Sequence, residues 1–176
     1  MPQKLTERPE ETIRQYLVDT LDPADIEGYD PQQTDTTATD FLPISNSWSK
    51  WGDYYPFIYV AEDSDPTVVG GGETNATGLQ GDGSGVNQYA IHTVTISVQV
   101  AEGGAYRNGV EYDDLAQTIY SEVHHELQKT ETIGDALWVG VPTPPTPTRN
   151  PGENDSDTLN WFQLSGTVPY SVHYTP

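Results

Sequence analysis

The chain has 176 residues, of which 27 are Asp or Glu and 7 are Lys or Arg, giving a formal net charge of -20 at pH 7. That balance disfavours nucleic-acid binding by attraction, because phosphate affinity rests on Lys and Arg, and the lack of cysteine excludes disulfides and thiolate metal sites. No apolar run approaches the roughly 20 residues of a membrane-spanning helix, and the start Met1-Pro2-Gln3-Lys4 has no signal-peptide core, so the sequence predicts no membrane partner and synthesis in the cytoplasm.

Pro9 suits the first position of a helix, Glu10 and Glu11 complement its positive end, and Ile13, Tyr16, Leu17 and Leu21 recur on one face. Asp22-Pro23 ends it. Residues 23–40 are rich in Asp, Thr, Gln and Pro without periodicity and read as a solvated connector. After Phe41-Leu42-Pro43, the aromatic cluster Trp48, Trp51, Tyr54, Tyr55 leads into a strand predicted over 55–61. Residues 70–85, bounded by Gly70-Gly71-Gly72 and Gly83-Ser84-Gly85, are a loop by composition.

The clearest strand is 89–100, where Val94, Ile96, Val98 and Val100 alternate with Thr93, Thr95, Ser97 and Gln99. Such alternation implies one buried side and one wet or partner-facing side. A second helix is predicted over 112–129, its apolar stripe made by Leu115, Ala116, Ile119, Tyr120, Val123 and Leu127. A short strand follows over 136–141. It stops at the proline-rich stretch 142–147, which lacks the backbone donors a sheet interior needs. The last strand, over 159–174, carries Phe162, Leu164, Val168 and Tyr170 in alternating register, and Pro169 marks it as an edge or a break. The expected fold is a single α+β domain over 1–176. It has an antiparallel sheet with helices packed on one face and long loop insertions near 23–40, 62–88 and 142–157.

The acids are spread from Glu10 through Asp63 to Asp157 rather than gathered in a tail, as in a solvated surface. In dilute salt that much like charge opposes compaction. In molar salt the screening length falls to about 3 Å, so the composition predicts adaptation to high salt.

No constellation carries chemistry. Glu122, His124, His125 and Glu126 put carboxylate and imidazole on one helix, but the second histidine of His-Glu-x-x-His is missing, and the group reads as a solvated face. His92 and His173 lie on strands, with nothing in the sequence to join them to that helix. The glycine-rich loop lacks the Lys-Ser/Thr ending of a phosphate cradle, and Glu73 repels a phosphate. Ser165 has no nucleophile elbow around it. Glu62, Asp63 and Asp65 do not space as a calcium loop. The sequence therefore predicts no enzyme, no catalytic residue, no cofactor and no metal. Trp48, Trp51 and Tyr54 could stack on sugar rings, which leaves a halophilic sugar- or protein-binding module as the alternative. Aromatic enrichment at interfaces favours subunit packing. The candidate interface residues are Trp48, Trp51, Tyr54, Tyr55, Thr93, Thr95 and Tyr170.

The order of elements resembles the tail terminator proteins of long-tailed viruses. The closest local match is His92-Thr93-Val94-Thr95-Ile96-Ser97-Val98-Gln99-Val100 followed by Tyr112-Asp113-Asp114-Leu115-Ala116-Gln117-Thr118-Ile119-Tyr120. The connector 23–40, the proline-rich stretch and the long final strand exceed the family's minimal form. The resemblance implies a homo-hexameric ring that ends the tail tube and joins it to the head or neck. Its partners are identical subunits, the tail tube protein and a head-completion or connector protein. DNA passes through the lumen without specific binding. Together with the acidic composition, it implies a virion of a halophilic, archaeal host, with the segments 70–85 and 142–157 ordered against adjacent rings.

Overall fold

The computed structural model describes residues 8–29, 42–46, 56–62, 67–69, 88–101, 111–130, 132–133, 136–150 and 161–174. Helix α1 spans Pro9–Thr20, with Pro9 in its first turn and Glu10 and Glu11 beside the positive end of its dipole. It ends where Leu21 turns extended, ahead of Asp22-Pro23. A 3-10 turn follows over Pro23–Asp25, with Asp22 capping it by accepting from the Ala24 N–H at 2.9 Å. Beyond it Gly28 takes the left-handed conformation, with φ 87°, that only glycine adopts readily.

Seven strands follow: β1 (Ile44–Ser45), β2 (Phe57–Glu62), β3 (Thr67–Val69), β4 (Gln88–Ala101), β5 (Ala136–Val139), β6 (Thr146–Asn150) and β7 (Trp161–Tyr174). Helix α2, Tyr112–Gln128, lies between β4 and β5 in the chain. The strands form one sheet in the order β1-β2-β4-β7-β5, with β3 also pairing β4 and β6 also pairing β7. All pairs are antiparallel except β1 with β2. The architecture is α+β, as composition and periodicity predict, with one parallel pair added.

The register puts Ile58 opposite Val98, Val98 opposite Leu164, Val94 opposite Val168 and His92 opposite Tyr170. Directly paired residues share a face. That face meets the apolar stripes of both helices in one cluster, with Ile13 and Leu17 from α1 and Leu115, Ile119, Val123 and Leu127 from α2 all buried. Each such side chain contributes about 1.5–3 kcal/mol by leaving water. The helices are tied to each other where the Tyr16 hydroxyl donates to the Glu126 carbonyl at 3.1 Å. Asn46 anchors α1 beside β1 by donating to Glu11 Oε2 at 2.9 Å.

Three expectations need correction. The connector is not wholly solvated: Ile26 and Tyr29 are buried in the core, because two apolar residues suffice to pull a polar segment onto it. Its remainder lies outside the described residues, as do 70–85. The proline-rich stretch is not all loop either. It passes into β6, an outer strand, where Pro147 sits opposite Leu164 and a missing donor is tolerated.

Pro169 marks neither an edge nor a break, since β7 is central and pairs β4 throughout. The reason lies in where the backbone groups point. The carbonyls of Thr167 and Pro169 accept from the N–H groups of Thr143 and Gly140 at 2.9 Å each, so both residues turn their polar backbone away from β4. The donor that proline lacks would have faced the gap between β5 and β6, and the β4 ladder loses nothing.

Gly166 faces the helices. A Cβ there would stand 1.8 Å from the Tyr120 hydroxyl and 2.8 Å from the Thr143 carbonyl. The bare backbone lets the Tyr120 hydroxyl donate to that carbonyl at 2.9 Å, and burial pushes the Tyr120 pKa up to about 12. Gly166→Ala should destabilise the protein by about 2–3 kcal/mol through overpacking, and Tyr120→Phe by about 1 kcal/mol through the lost hydrogen bond. The double variant should lose less than the sum, because the phenylalanine removes the atom that clashes. Chemical denaturation in molar salt measures all three. The raised pKa also sets an alkaline limit. Below pH 10 both folded and unfolded chains keep the phenol proton, whereas between 10 and about 12 only the folded chain does. Stability from this group should therefore fall as pH rises through that window, by up to about 1.4 kcal/mol per unit, and the Tyr120→Phe variant should lack that component.

Candidate functional site

The side of the sheet away from the helices is built from the alternate residues of the same three strands. In register across β2, β4 and β7 stand the rows Phe57–Gln99–Gln163, Tyr59–Ser97–Ser165 and Ala61–Thr95–Thr167, followed by Thr93–Pro169 and Ile91–Ser171. Among these described residues none is Asp, Glu, Lys, Arg or His, in a chain with 27 acids. The outer surfaces of the helices differ, with Glu111, Asp114 and Asp19 exposed on them.

The face is unevenly covered. Towards the Ala101 end of β4, Phe57, Ser97, Gln99 and Ala101 are buried, while Tyr59, Trp161, Gln163 and Ser165 beside them are half-exposed. There the Ser97 and Ser165 hydroxyls share a hydrogen bond of 2.8 Å, Gln163 Nε2 donates to Ser165 Oγ at 2.7 Å, and Gln99 Oε1 is buried without a hydrogen-bond partner. Towards the other end the face is half-exposed at Ala61, Ile91, Thr93, Thr95, Thr167 and Pro169 and buried at Ser171. Among the described residues of this end, methyl groups and hydroxyls thus present a neutral surface.

Thr93 and Thr95 lie on this half-exposed surface, where their alternation with valine and isoleucine places them. Tyr170 does not. It is fully buried on the helix side, and its hydroxyl donates to the Ile133 carbonyl at 3.0 Å, so its assignment to an interface is corrected. Tyr170 shares the register of Phe162, Leu164 and Val168, and that register fixes it in the core. Trp48, Trp51, Tyr54 and Tyr55 lie outside the described residues.

The histidine group on α2 is spread along its outer surface, with His125 exposed and Glu122 and His124 half-exposed. Among the described residues no three or more ligating side chains come together. Glu126 instead pairs with Lys129 at 2.6 Å, and that hydrogen bond raises the Lys129 pKa. On α1, Arg14 grips both oxygens of Glu11, at 2.9 and 2.6 Å, and the hydrogen bond holds the Glu11 carboxyl below its usual range.

Sequence reasoning missed one pair. His92 is buried on the helix side and its Nδ1 is hydrogen-bonded to Glu62 Oε1, while its Nε2 is buried without a partner. The parity of His92 with Val94 and Ile96 carried the signal for burial. The partner was unreadable because it depends on the register of β2. Compared with known proteins, the chain matches no family model and no curated sequence. No helix among the described residues is long and apolar enough to cross a membrane.

The His92–Glu62 contact is predicted to be structural. Glu62→Ala would leave both imidazole nitrogens buried and unpaired, at a cost of about 1–3 kcal/mol, whereas Glu62→Gln keeps an acceptor on Nδ1–H and should lose less. Denaturation midpoints of the two variants at neutral pH give the comparison.

Proposed function

We propose that this chain is a structural virion protein, a tail terminator whose identical copies form a ring at the end of the tail tube and join it to the head or neck. The observation that carries this reading is the β4-α2-β7 unit. One long sheet buries one face under helices, and the residues of the opposite face described from Ile91 to Gln99 and from Gln163 to Ser171 carry no charge, in a chain with 27 acids. A subunit of a closed assembly needs such a division, since identical acidic copies meet with least repulsion across a neutral surface. The order of elements resembles the tail terminator family. Its acidity also suits a duct through which DNA passes unbound, because carboxylates repel phosphates. No catalytic role is proposed. The acidic composition further supports a high-salt setting, consistent with a virus of a halophilic host and a location in the tail and neck of the virion.

Light scattering and native mass spectrometry test the ring. In molar salt, alone or within isolated particles, the protein should have six times the 19.4 kDa mass of one chain. On dilution to about 0.1 M salt, where the screening length grows towards 10 Å, the ring should dissociate. A strict monomer under both conditions, free and in particles, overturns the proposal.

A further inference from the structure

We draw no further inference here: the strongest candidate, the proline-rich outer segment over residues 141–148, where Val141, Pro144 and Pro147 are exposed at every third position while Thr143 ties the segment to β7, carries nothing, because nothing in the structure shows what covers it.

Discussion

The ladder between β4 and β7 positions every other element. Fourteen residues pair with fourteen, from Gln88 opposite Tyr174 to Ala101 opposite Trp161, without a break. On one side of this ribbon β2 and β3 dock along successive portions of β4, and on the other β5 and β6 dock along successive portions of β7. Helix α2 lies across both central strands, and α1 packs beside it over β2. Because side chains alternate with a period of two, the register of this one ladder decides which residues enter the core and which reach the far face. A slip of one residue would turn the Val94, Ile96 and Val98 row outward and bring the Thr93 and Thr95 row under the helices.

That constraint divides a strongly charged chain into regions with different tasks. Carboxylates occupy the helix surfaces, where water and counterions solvate them. The sheet carries hydroxyls, amides and methyls on its open side. The few described cations are spent on local carboxylates, Arg8 on Glu10, Arg14 on Glu11 and Lys129 on Glu126. Exposed pairs of this kind contribute little to stability. The protein therefore depends on its apolar cluster and on the hydrogen bonds of its backbone, with charge setting its solubility and the partners it tolerates.

Much of this was legible in the sequence, and the reason is periodicity. Ile13 and Leu17, then Leu115, Ile119 and Val123, repeat as helices do, and the residues from Thr93 to Val100 alternate as a half-buried strand does. What the sequence hid depends on pairing between distant segments. Strands as short as β1 and β3 have too few residues to show a period. The side to which Pro169 turns its nitrogen follows from its neighbours in space, and so does the contact of His92 with Glu62. Tyr170 is a different case. Its register already placed it with Leu164 and Val168, and grouping it with interface residues gave aromatic character more weight than parity. Of the candidate interface, the threonines of β4 were readable because alternation alone assigns them a face.

The central ladder also governs how the molecule comes into being. Its two strands are separated in the chain by α2, β5 and β6, so the contacts that hold the core together are distant in sequence, and such topologies fold slowly. On the ribosome β4 emerges well before β7. Until β7 arrives, the valine and isoleucine row of β4 has only α2 and the earlier strands to shelter it, and an unpaired apolar strand is the kind of surface through which nascent chains aggregate. The surplus of carboxylates then acts as a built-in safeguard during synthesis. By holding water at the surface, they keep an unfinished chain soluble while its last strand is still to come.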